Sequence, residues 1–160
     1  AKIQNQLIDT IAPTDGYALT WVNADGYWAS RAATDGYVDF QILAGIATNM
    51  GTGSDTFDRI GSIRLDTAVH PANAIYIFEG IIEVSDGYVA ELKLYNVTDT
   101  AEVSGSLLSS SSIVSEHKAA TFTPVAGAKI YTGQLRITGV TSDSAVGAAC
   151  SNCKVRVKYR

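Results

Sequence analysis

The chain has 160 residues, 46% of them hydrophobic and only 18% charged, with a formal net charge of −4. That is one ordinary domain with apolar material for a sizeable core, which excludes disorder along the whole length. The acidic balance argues against a coat for nucleic acid, and no apolar run approaches the roughly 20 residues of a membrane-spanning helix, so neither nucleic acid nor membrane is expected as a partner.

The N-terminus, AKIQNQLIDT, carries one Lys and no apolar h-region, so no signal peptide is expected. Ala1 suits removal of an initiator Met, and synthesis in a cytoplasm follows as the simplest expectation. Ile3, Leu7, Ile8 and Ile11 mark either one face of a short helix or a sticky extended arm. Apolar residues in such a segment suit docking onto something else.

A repeat follows. Asp15-Gly16-Tyr17, Asp25-Gly26-Tyr27 and Asp35-Gly36-Tyr37 recur every ten residues. Asp-Gly favours a turn, because Asp bonds the backbone ahead and Gly accepts positive φ. The Tyr, Trp, Leu and Val that follow favour extended chain. Residues 19–22 and 27–30 are predicted as the arms of a hairpin around Asn23-Ala24-Asp25-Gly26. Strands this short are marginal alone, so the repeats need a neighbour.

From Tyr37 onward, longer β-prone stretches alternate with turn formers. Eight strands are predicted, over 37–47, 57–65, 74–85, 88–97, 103–108, 113–123, 129–140 and 150–159. No helical period of useful length occurs, and regular strands with such breaks point to a sandwich or barrel. In 88–97, Ala90, Leu92 and Leu94 alternate with Glu91, Lys93 and Tyr95, which gives one wet face. In 129–140, Tyr131, Leu135 and Ile137 oppose Thr132, Gln134 and Arg136. The stretch 74–85 is apolar on both faces and is expected to be central, or covered by another chain. The expected fold is therefore all-β, an eight-stranded antiparallel jelly-roll β-sandwich over 37–160, preceded by an N-terminal arm and β-hairpin repeats over 1–36.

The stretch Glu91-Leu92-Lys93-Leu94-Tyr95-Asn96-Val97-Thr98-Asp99, with Val103-Ser104-Gly105-Ser106, Pro124-Val125-Ala126-Gly127-Ala128-Lys129 and Gln134-Leu135-Arg136-Ile137, resembles jelly-roll modules in structural proteins of tailed bacteriophages. Pro13-Thr14-Asp15-Gly16-Tyr17-Ala18-Leu19-Thr20-Trp21 resembles a linking repeat of phage fibre and decoration proteins. The resemblance implies a homotrimeric virion surface protein, a capsid decoration protein or short head fibre, with a major capsid or other virion protein as its partner. The near absence of a shaft departs from long tail fibres. The alternative is a tail-fibre receptor-binding or carbohydrate-binding adhesin module facing host surface glycans. Ile3, Leu7, Ile11, Tyr17, Trp21, Tyr27, Trp28 and Tyr37 are the candidate anchoring and oligomer contacts.

No catalytic constellation stands out, and neither an enzyme nor a cofactor or metal site is expected. His70 and His117 are isolated in sequence, and no nucleophile elbow, phosphate loop or zinc-protease motif occurs. Glu79 and Glu83 share a strand face, but nothing else supports glycosidase chemistry. Cys150 and Cys153 are expected as free thiols, with a tight disulfide or half a zinc site as alternatives; three apart on a strand, they should point to opposite faces. The cations of Lys154, Arg156, Lys158 and Arg160 alternate with Cys153, Val155, Val157 and Tyr159, the pattern of a solvated strand face. Asn96 is expected to start a turn.

Overall fold

The computed structural model describes residues 2–3, 6–8, 17–22, 27–32, 36–51, 56–140 and 146–159, with side chains from 36 onward except at 49–51. The described residues are all-β apart from one 3-10 turn at Thr67–Val69. Among the described residues there are thirteen strands: β1 Lys2–Ile3, β2 Gln6–Ile8, β3 Tyr17–Val22, β4 Tyr27–Ala32, β5 Tyr37–Gly51, β6 Asp58–Asp66, β7 Ile75–Val84, β8 Val89–Asn96, β9 Ala101–Glu102, β10 Leu108–Ser110, β11 Glu116–Phe122, β12 Ala128–Thr138 and β13 Val146–Lys158.

The N-terminal strands form a sheet of their own, in the order β1-β2-β4-β3. The described residues of the arm, Lys2–Ile3 and Gln6–Ile8, are extended rather than helical. β3 and β4 are the predicted hairpin, antiparallel with Val22 opposite Tyr27 across a four-residue connection, 23–26, that lies outside the described residues. The third Asp-Gly-Tyr unit does not join this sheet; its strand is β5.

The remaining strands make two antiparallel sheets packed on one core, β11-β7-β13-β5 and β10-β8-β12-β6, with β9 pairing on β8. Successive strands from β5 to β8 and from β10 to β13 alternate between the two sheets. Phe78, Ile82, Val155 and Val157 from one sheet meet Leu92, Leu94, Leu135 and Ile137 from the other, all fully buried. Each such side chain contributes roughly 1.5–3 kcal/mol by leaving water. The alternation predicted for β8 holds, with Ala90, Leu92 and Leu94 inside and Glu91, Lys93 and Tyr95 half-buried outside. β7 is central, between β11 and β13, as its two-sided apolar pattern requires.

Three expectations need correction. First, the predicted strand 103–108 does not form: Val103 begins a tight turn, with Gly105 at φ +79°, and the pairing strands are β9 before it and β10, which starts only at Leu108. Buried Ser106 holds the turn, its hydroxyl donating to the Val103 carbonyl at 2.8 Å and accepting from the Leu94 amide at 3.0 Å. Second, Thr132 is fully buried, because its hydroxyl donates to the Gly61 carbonyl at 2.7 Å and needs no water. Third, Cys150 and Cys153 both point into the core. Asn152, at φ +49°, is an extra residue: between Ser151 and Lys154, β13 advances three residues while β7 moves only from Ile81 to Glu79. This bulge resets the two-residue alternation and turns both thiols inward.

Register fixes which connections share an end. Tyr37, Lys158, Ile75 and Phe122 lie at one end of their sheet, and Gly51, Val146, Val84 and Glu116 at the other. Residue 36 and Tyr159 are therefore neighbours, with the Tyr159 amide donating to the Gly36 carbonyl at 2.8 Å. The connections β5–β6, β7–β8, β10–β11 and β12–β13 gather at the opposite end.

Candidate functional site

The predicted anchoring residues fall into two groups. Ile3 lies in β1, Leu7 in β2, Tyr17 and Trp21 in β3, and Tyr27 and Trp28 in β4. Backbone register sets Trp21 opposite Trp28, and Tyr27 opposite both Val22 and Leu7. Ile11 lies outside the described residues. Tyr37 stands apart from them: it opens β5, is 60% exposed, and carries the Arg156 guanidinium 4.5 Å above its ring.

Arg156 belongs to an ionic array across the outer face of the β11-β7-β13-β5 sheet. Lys154 and Arg156 on β13 reach Asp39 on β5 at 2.8 and 2.9 Å, and Glu79 on β7 at 3.3 and 3.4 Å; His117 on β11 lies 3.4 Å from Glu79. The hydrogen-bonded Arg156 guanidinium, helped by Lys154, holds the Asp39 carboxyl below its usual range. Asp39 in turn raises the pKa of both cations. Two of the alternating cations of β13, Lys154 and Arg156, are thus matched to carboxylates, which suits a structural face better than a phosphate-binding one. Glu79 and Glu83 are separated by four strand residues, about 13 Å along the chain, beyond the spacing of a glycosidase pair. Glu83 instead accepts from the Ser115 hydroxyl at 2.6 Å.

A cleft of about 540 Å³ opens on the outer face of the other sheet. Its floor is built from Glu91 and Lys93 on β8 and Arg136 on β12, which register brings side by side. Phe57, just before β6, forms one wall, and the turn from Val103 to Leu107 forms the other. Lys93 Nζ lies 4.0 Å and the Arg136 guanidinium 4.3 Å from the Phe57 ring centre. Lys93 also pairs with Glu102, and Arg136 with Glu91 at 2.6 Å. The Lys93 ammonium depresses the Glu102 pKa. Each polar side chain of the floor is thereby fixed in direction. The sequence reading missed this cleft, although Glu91, Lys93 and Arg136 stood on the predicted wet faces; no local signal ties Phe57 and Glu102 to them.

The remaining chemistry-bearing residues are structural. His70 packs edge-on against Phe40 and Tyr76, and its Nδ1 lies 3.0 Å from the Tyr159 hydroxyl. Burial depresses the His70 pKa. Cys150 and Cys153 are free buried thiols; the hydrogen bond that the Cys153 thiol donates to Cys150, reinforced by burial, raises the Cys153 pKa. Asn96 starts the turn after β8, its side-chain amide donating to Asp99 at 2.8 Å. Among the described residues no group of three or more His, Cys, Asp and Glu converges as a metal ligand set, and no helix is long and apolar enough to cross a membrane.

No protein-family model matches the chain, and no curated protein does. Solved structures do match. The infectious bursal disease virus VP2 subviral particle superposes with a TM-score of 0.51 at 11% identity, over 83% of this chain and 35% of that one. The Gx strain of the same virus gives 0.50 at 10% identity, over 83% and 34%. A sugar-binding C-terminal domain, of EclA, gives 0.33 at 12% identity over 77% of this chain and 79% of that one, a likeness too low to bear on fold or ligand. This chain spans about a third of the length of the viral chains it matches. At these identities the likeness shows the fold alone: an all-β chain whose two packed antiparallel sheets share their architecture with a protein of a viral particle.

Proposed function

We propose that this chain is a structural protein of a virion surface, a jelly-roll sandwich attached through its N-terminal strands. The observation that carries the reading is the strand order. Numbering the eight main strands β5, β6, β7, β8, β10, β11, β12 and β13 as one to eight, the sheets run 1-8-3-6 and 2-7-4-5, the interleaving that jelly rolls adopt. The likeness to the VP2 subviral particle supports the same reading at the level of fold.

The geometry also suits attachment through residues 1–36. The chain enters the sandwich beside Tyr159, and the connections at the opposite end point away from that entry. The N-terminal strands, of two, three, six and six residues, are short enough to be marginal alone, so contact with other copies or with a major capsid protein would stabilise them. A homotrimer that decorates the capsid of a tailed bacteriophage, or forms a short head fibre on it, is the specific form of the proposal.

Native mass spectrometry and cryo-EM test it. The full chain is expected as a trimer that becomes monomeric when residues 1–36 are removed, and as density outside the shell of the particle that carries it. A stable interface of this kind buries well over about 1,000 Å². A full chain that is monomeric at micromolar concentration and absent from any particle would overturn the reading.

A further inference from the structure

We propose that the cleft between Phe57 and the 103–107 turn binds a neutral, hydroxyl-rich ligand, a hexose or a short uncharged saccharide. The inference stands apart from the particle reading, since either can hold without the other. It also concerns different residues from the aromatic N-terminal strands.

Charge selects the ligand class. The cleft presents two cations, Lys93 and Arg136, and two carboxylates, Glu91 and Glu102, so its formal charge sums to zero. A phosphate or carboxylate ligand reaching Lys93 or Arg136 would meet Glu102 or Glu91 beside it. A cationic ligand would meet the reverse. A polyol suits both members of each pair, because one hydroxyl donates to the carboxylate while its neighbour accepts from the ammonium or guanidinium.

Size and shape agree. A volume of about 540 Å³ lies within the usual range for small-ligand sites and has room for one or two sugar rings. On the turn side, half-buried Val103 and Leu107, 54% exposed, offer an apolar surface for the C–H face of a sugar. Phe57 is not the stacking platform. Its ring already carries Lys93 and Arg136, and its role is to hold both cations in place.

The site is also pre-organised. The turn wall is pinned by Ser106, which is fully buried and bonded to Leu94 and Val103. Long, flexible side chains normally lose entropy when they bind a ligand. Held in ion pairs and against a ring, Lys93 and Arg136 have already lost much of it.

Protein-observed NMR titration with glucose, galactose, N-acetylglucosamine and lactose tests the proposal, with N-acetylneuraminic acid and inorganic phosphate as anionic probes. At least one neutral sugar is expected to shift the amides of Phe57, Glu102 and the 103–107 turn, with millimolar affinity. Lys93→Met and Glu102→Gln should each weaken that binding about tenfold, the loss of roughly one charge-assisted hydrogen bond. Leu107→Asp, on the exposed rim, provides a third variant that leaves the floor intact and should also weaken it. No shift with any neutral sugar overturns the proposal. So does equal or tighter binding of the anionic probes, or sugar binding that survives all three substitutions.

Discussion

The carbonyl oxygen of Ile42 lies 2.1 Å from where a Cβ on Gly61 would stand. This contact joins the two sheets at the corner between β5 and β6, where β5 departs from its pairing with β13: it advances from Gln41 to Ile46 while β13 moves only from Lys154 to Ser151. Backbone cannot yield as a side-chain tip can. Gly61→Ala should therefore destabilise by about 3 kcal/mol or more, whereas Gly45→Ala, with nothing within 4 Å, should be near neutral. Urea unfolding of the two variants checks the contrast.

Ser106 should matter far more than its neighbour. Its hydroxyl serves the Leu94 amide and the Val103 carbonyl from a fully buried position. Ser106→Ala leaves buried polar groups unpaired and should cost about 1–3 kcal/mol. Ser104→Ala, in the exposed part of the same turn, should cost a few tenths of a kcal/mol at most. Equal melting temperatures for the two variants would refute this account of the turn.

His70 should make stability fall in mild acid. Burial lowers its pKa in the folded state below the ordinary 6.5. Above pH 6.5 the ring is neutral whether the chain is folded or unfolded. As pH falls below 6.5, the unfolded chain takes up a proton that the folded chain resists until its own lower pKa is reached. The His70 contribution is thus complete above 6.5 and is lost on the way down through that window. His70→Gln, which cannot titrate, should show a shallower decline of melting temperature between pH 7 and pH 5; an unchanged slope would exclude His70 as a source.

The two thiols should be silent in the native protein. Both are buried, and the Cys153 pKa is raised, so the reactive thiolate is scarce. A thiol reagent should modify neither until the chain unfolds, and then both, without reductant. Rapid native labelling, or no thiols after denaturation, would contradict the structure. Opposite them, Gly80→Ala places a Cβ 2.8 Å from the tip of Leu92 and 3.3 Å from Cys150 Sγ. That substitution should cost about 1–3 kcal/mol.

The class of fold and most of the strands were legible in the order of the amino acids. Period-two alternation at Ala90, Leu92 and Leu94 is a local property, and so are the turn preference of Asp-Gly and the two-sided apolar run of β7. Each could be read because the backbone fixes side-chain direction residue by residue. The breaks in that regularity were not legible. The inward turn of both cysteines depends on one extra residue at Asn152, and the loss of the 103–108 strand depends on a hydroxyl bonding to Leu94 twelve residues earlier. The cleft is the clearest case: Phe57, Glu91, Lys93, Glu102 and Arg136 come together only through the registers of β6, β8, β9 and β12. Register is set by bulges and by packing between distant segments, so where the charges of this protein meet emerges only once the sheets have paired and packed.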